Sequence, residues 1–125
     1  GTQLTAAVIR VRNLEEFAET YSGAGKTLRP EDQKALDLLN RRAQGSVCRL
    51  CTRCQPHCPE NIPIADILRF ERYALDDHDW QRARELYGRL HRNASVCVSC
   101  ETCMDYCPQH LSIPRQIAGV HRLLG

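Results

Sequence analysis

The chain has 125 residues with 17 Lys and Arg against 15 Asp and Glu, a formal net charge of +2, so no strong field points to nucleic acid. The size allows one domain or one domain plus an appendage, and with aromatics at 6% the core is small enough that a covalent or metal staple is expected. The apolar runs are too short to span a bilayer, and no signal peptide or twin-arginine leader stands at the front, which begins with Gly1 rather than Met.

The first predicted element is "AAVIRV", Ala6 to Val11, which reads as a short strand. A lone strand is not stable in water. It therefore pairs with another polypeptide, belongs to a larger fold, or is not a strand. "NLEEFAETYS" reads as a helix capped by Asn13, with acids in its first turn and Leu14, Phe17 and Tyr21 on one side. "GAGK", Gly23 to Lys26, reads as a turn or helix stop. "PEDQKALDLLNRR" puts Pro30 at the first helical position and is expected to bury Ala35, Leu36 and Leu39. Gly45 and Ser46 then lead into the first of two cysteine motifs.

All eight cysteines fall in those motifs, "VCRLCTRCQPHCP" from Val47 and "VCVSCETCMDYCP" from Val96. Each has the spacing Cys-x2-Cys-x2-Cys-x3-Cys-Pro: Cys48, Cys51, Cys54 and Cys58 with Pro59, then Cys97, Cys100, Cys103 and Cys107 with Pro108. Three chemistries can use such sets. Disulfide frameworks scatter their cysteines to staple distant loops, whereas these are bunched. A zinc site uses two pairs and leaves the third step and the trailing Cys-Pro unexplained. The spacing is that of [4Fe-4S] ferredoxin motifs, in which three cysteines serve one cube and the fourth serves its neighbour. The expected ligation is thus crossed: Cys48, Cys51, Cys54 and Cys107 for one cluster, and Cys97, Cys100, Cys103 and Cys58 for the other. Binding free energy would then be folding free energy, and the metal-free chain is expected to be largely unfolded.

After Pro59 and Pro108 the repeat continues, each time with an Ile-Pro and an amphipathic run. Ile64, Ile67, Leu68 and Leu75 form one helical stripe, and Ile117, Val120, His121 and Leu124 another. Between them, "DWQRARELYGRLH" sets Trp80, Ala83, Leu86, Tyr87 and Leu90 on one face, so the 38 residues between Cys58 and Cys97 (97 − 58 − 1) read as two helices joined near Asp76 to Asp79. That linker is helical rather than strand-rich. The fold class expected is mostly α: an α-helical ferredoxin-like two-cluster domain over 45–125, preceded by a short β/α appendage over 1–44.

Nearly the whole chain from Ala6 resembles the C-terminal portion of the iron–sulfur aldo/keto reductases. "AAVIRVRNLEEFAETY" looks like the last strand and helix of their barrel, "LRPEDQKALD" like the closing helix, and "VCRLCTRCQPHCPENIPIADILRFERYALDDHDWQRARELY" with "CVSCETCMDYCPQHLSIP" like their helical two-cluster domain. The pattern departs at Arg10 and Val11, where the family has a Pro-Gly turn, and at Arg29, where it has a capping Ser or Thr. The family's catalytic Asp, Tyr, Lys and His belong to the front of its barrel; Tyr73, Tyr87, Lys26 and the five histidines are not at matching positions, so no catalytic residue is assigned. A second, lesser resemblance, over roughly 45–125, is to the two-cluster small subunit of heterodisulfide reductases.

These readings imply electron transfer through two [4Fe-4S] clusters, as a module of a larger oxidoreductase complex or with a redox partner protein. Two alternatives stay open: the detached C-terminal part of a nicotinamide-dependent aldo/keto-reductase-like enzyme, and a purely structural metal-stapled domain. Around the motifs, His57 and His110 read as loop histidines or as hydrogen-bond donors to sulfur. Arg49, Arg53 and Arg115 read as solvated, as offsets to cluster charge, or as contacts for an acidic redox partner. Trp80 and Tyr87 read as core, and His78, His91 and His121 as surface or helix-end residues. Thiolates and cluster assembly favour a reducing compartment, so the expected location is cytoplasmic, with export as a folded complex the alternative. Docking to a membrane complex stays open.

Overall fold

The first helix starts where its cap says it must. The Asn13 side chain accepts from the Glu16 amide at 2.8 Å, and α1 runs Leu14–Ser22. The turn at Gly23 to Gly25, with Gly25 at φ +73°, ends it. Helix α2 is Pro30–Ala43. At its start Asp32 accepts from the Arg29 amide (3.0 Å) and from both sides of the Arg29 guanidinium (3.1 Å each). The carboxylate at the third helical position thus satisfies the amide of the residue before the helix, the reaching-back half of a capping box, and Arg29 holds its carboxyl below the usual carboxylate range.

The computed structural model describes residues 8–125. Among them there are six α-helices and no strand. The expected strand Ala6 to Val11 lies partly outside the described residues, and its remainder, Val8 to Val11, is irregular and exposed. Among the described residues no strand offers it a ladder. The expected burial of Ala35, Leu36 and Leu39 is also overturned: α2 buries nothing. The chain divides between Leu36 and Asp37 into two compact units.

The second unit holds the core. Helix α3 is Ile64–Leu75, α4 Trp80–Gly88, α5 the short Thr102–Asp105, and α6 Ile113–Leu124. The expected stripes are buried at Ile64, Ile67, Leu68, Ile117, Val120 and Leu124, and Ile62, Leu111 and Ile113 join them. Helix α4 adds Ala83 and Tyr87. Two expected core residues are exposed instead: Leu75 at 47% and Trp80 at 36%. They are the last residue of α3 and the first of α4, where the chain turns at the surface. In that junction Asp76 closes α3, and Asp79 caps α4 by accepting from the Arg82 amide at 3.2 Å.

One buried polar link ties the helices to the second motif. The Tyr87 hydroxyl, on a residue only 2% exposed, accepts from the Ala94 amide (3.3 Å) and bonds His121 Nδ1 (2.8 Å). His121 is thus a helix-end residue, in the last turn of α6, that also bonds a core side chain. Among the described residues no helix is long and apolar enough to cross a membrane.

Candidate metal centre

The two cysteine motifs fold alike. At an offset of 49 residues (Cys97 against Cys48), the left-handed residues outside glycine pair up: Leu50 (φ 54°) with Ser99 (52°), Thr52 (60°) with Glu101 (61°), and Asn61 (53°) with His110 (52°). The turn hydrogen bonds pair as well. Gln55 and Met104 donate to the carbonyls of Thr52 and Glu101 at 2.9 and 2.7 Å, Cys58 and Cys107 to Gln55 and Met104 at 3.1 and 3.0 Å, and Asn61 and His110 to Cys58 and Cys107 at 3.0 Å each. Burial repeats too: Cys54 (9%) and Cys103 (8%) are buried, Cys51 and Cys100 exposed, and the outer two of each motif lie between. Each left-handed residue outside glycine costs about 1 kcal/mol or more. Curling the loop around its cysteines thus requires something that holds it there.

The second predicted set comes together. Cys58 from the first motif lines one pocket with Cys97, Cys100 and Cys103 from the second. Apolar walls from Pro59, Ile62, Ile64 and Ile117 close it, and Glu60 and Glu101 are its charged residues. Of the first set, Cys48 lines a groove with Arg72 and Glu71, and Cys107 lines another with Arg53 and His57. Its thiols still act on one another. Burial pushes Cys54 up to about 11, and Cys48, Cys107 and Cys51 push the same way. Cys103 rises to about 11, again first through burial, with Cys54, Cys58 and Cys100 adding to it.

Donors reach the sulfurs from the loops. The Leu50 amide donates to Cys48 Sγ at 3.3 Å. The Thr102 hydroxyl and amide donate to Cys100 and hold its thiol below the ordinary range. All eight thiols are free. Among the described residues no three His, Cys, Asp or Glu side chains converge closely enough to hold a single metal ion.

Residues that the spacing alone does not single out also gather here. The His57 and Tyr106 rings stack with centroids 3.3 Å apart and planes 3° apart. They occupy the same place in the two motifs, immediately before Cys58 and Cys107, which aligning the repeats would have revealed. Gln109 is buried at 3% exposure. With its amide oxygen turned to the guanidinium it accepts from Arg49 Nε at 2.9 Å and Nη2 at 3.3 Å. Arg115 lies exposed on α6, away from the linings of the cysteine pocket and the Cys107 groove. His110 lines the Cys107 groove.

No family model matches the chain, and no curated protein or solved structure matches it either. The arrangement itself is thiol-rich, half-buried, supplied with N–H donors, and built from two loops, the first of which brings Cys58 to the cysteines of the second. Such a set can hold a thiolate-bound metal or metal–sulfur group.

Proposed function

We propose that the second unit is an electron-transfer module holding two [4Fe-4S] clusters, one on Cys48, Cys51, Cys54 and Cys107 and one on Cys97, Cys100, Cys103 and Cys58. The observation that carries this is the pocket in which Cys58 joins Cys97, Cys100 and Cys103. A fourth ligand borrowed from the other motif is what the Cys-x2-Cys-x2-Cys-x3-Cys-Pro run supplies to a second cubane.

The donor set fits that group. Zinc draws its thiolates in to about 2.3 Å from one centre, whereas a cubane takes each thiolate on a different iron and leaves the sulfurs spread around a larger body. Four thiols drawn from both motifs into one lining supply one thiolate for each iron of such a body. When bound, such clusters accept and pass single electrons. The chain's own residues bury Cys54 and Cys103, aim the Leu50 and Thr102 amides at sulfur, and hold the curled loops against the core of α3, α4 and α6. Burial and N–H donors to sulfur are the levers that set a cluster's potential. The electrons come from and go to a redox partner protein or a larger oxidoreductase complex, and no catalytic residue is assigned to this chain.

The test is iron, acid-labile sulfide and zinc per chain in anaerobically purified protein. About eight iron and eight sulfide are expected for two cubanes. Zinc without sulfide would replace the electron-transfer reading with that of a structural staple. About four of each would leave one motif without its cluster and end the two-cluster relay.

A further inference from the structure

The two motifs share a backbone but differ in charge. In register (53 + 49 = 102, 52 + 49 = 101), Arg53 of the first motif stands where the second has Thr102, and Glu101 of the second stands where the first has Thr52. The difference reaches the surface. Cys107 opens into a groove that it shares with Arg53, His57, Tyr106, His110 and one carboxylate, Asp105. The pocket of Cys58, Cys97, Cys100 and Cys103 carries two carboxylates, Glu60 and Glu101, and no cation in its lining. Arg92 pairs with Glu60 at 3.1 Å from outside that lining.

The basic side is held in place. Arg49 is bonded by the buried Gln109, two residues beyond Cys107, so its charge is tied to the segment that carries the ligand. Arg53 is exposed and forms no ion pair among the described residues. In the same groove as Arg53 the His57–Tyr106 stack gives a flat aromatic surface contributed by both motifs. Arginine with aromatic side chains is the composition found at the centres of protein interfaces. Charges within a Debye length of about 8–10 Å act together on an approaching partner, and complementary fields raise association rates by about 10 to 10³.

We infer that the Arg53, His57 and Tyr106 groove at Cys107 is the docking face for an electron-transfer partner protein whose contact surface is acidic. The Glu60 and Glu101 side repels that same partner and so orients it. This rests on the electron-transfer reading and adds where one partner binds and of what charge.

Small redox ions of opposite charge probe the face without knowledge of the partner. The full chain with its metal centres is reduced anaerobically with dithionite, then mixed in stopped flow with ferricyanide. Each event moves one electron from the chain to ferricyanide, giving ferrocyanide, and is read as visible absorbance. The cation hexaammineruthenium(III) serves as the opposite probe. Arg53→Glu is expected to slow ferricyanide at least about threefold at low salt, with Arg53→Gln in between and the effect gone at high salt. It is expected to speed the ruthenium cation. Glu85→Lys, at an exposed α4 side chain outside the linings of both the groove and the cysteine pocket, is expected to change the ferricyanide rate less than about 1.5-fold, because the charge it reverses is not part of the groove. Equal and opposite changes in the two charge swaps would show net charge alone at work and overturn the docking face; so would no change in either. Iron and sulfide equal to wild type in each variant establish that the centre survives. Absence of a reducible iron–sulfur absorbance in the wild type is a separate result, which removes the electron-transfer reading and the docking face with it.

Discussion

Helices α1 and α3 are announced by the same kind of pattern, an apolar stripe on a 3.6-residue period, yet their fates are opposite. Helix α3 buries Ile64, Ala65, Ile67, Leu68, Phe70 and Ala74, while α1 buries nothing and leaves Leu14 85% exposed. An amphipathic period shows which face wants a partner, not whether the chain supplies one. A nine-residue helix such as α1 is marginal in water without tertiary packing. The front unit therefore rests on local devices such as the Asn13 cap and the Asp32–Arg29 bonds. The cysteine unit rests on burial and on whatever its thiols hold.

The largest break in that comparison comes from stripping the metal. Six left-handed residues outside glycine shape the two loops, and ligand bonds are what the proposed function offers against their strain. Chelation with oxidation is expected to remove most of the far-ultraviolet helical signal of the cysteine unit and its cooperative melting. An unchanged spectrum would mean that the core of α3, α4 and α6 holds the loops without help.

That expectation comes from the cysteine spacing, and several features of the structure were legible in the sequence as well. The cap at Asn13, the helix start at Pro30 and the α3–α4 junction follow from local chemistry, and the cysteine grouping at the second pocket follows from the motif's spacing. What stayed hidden depends on distant partners. The expected strand Ala6 to Val11, seen only from Val8 and irregular there, and the expected burial of Ala35, Leu36 and Leu39 needed neighbours that the described residues do not provide. Leu75 and Trp80 carry the right period but sit at helix ends, where the stripe turns out of the core. The Tyr87–His121 bond joins residues 34 apart, and no local signal pairs them.

Truncating one apolar side chain in each helix sharpens the contrast. Ile67→Ala, at a residue with no exposure, is expected to cost about 2–5 kcal/mol in denaturant unfolding, from lost transfer energy and the cavity left behind. Leu14→Ala is expected to stay within about 0.5 kcal/mol. Similar losses would show that the face of α1 is covered in solution.

The smallest effect separates the two regions most cleanly, because the chemistry removed is the same. Asn13 and Asp79 each accept one backbone amide three residues on, at 2.8 and 3.2 Å. Such a cap is typically worth about 1 kcal/mol of helix stability. Helix α4 is tied into the core through Ala83 and Tyr87, so fraying it loosens their packing, and the cost of Asp79→Ala is expected to appear in the global unfolding midpoint. Helix α1 buries no side chain through which its fraying could be felt. Asn13→Ala is therefore expected to leave the midpoint unmoved and to raise amide exchange only over Leu14–Ser22, with the Glu16 amide responding first because it loses its acceptor. A midpoint shift from Asn13→Ala equal to that from Asp79→Ala would couple α1 to global unfolding, and the division of the molecule into a locally held front and a cooperatively held cysteine unit would fall.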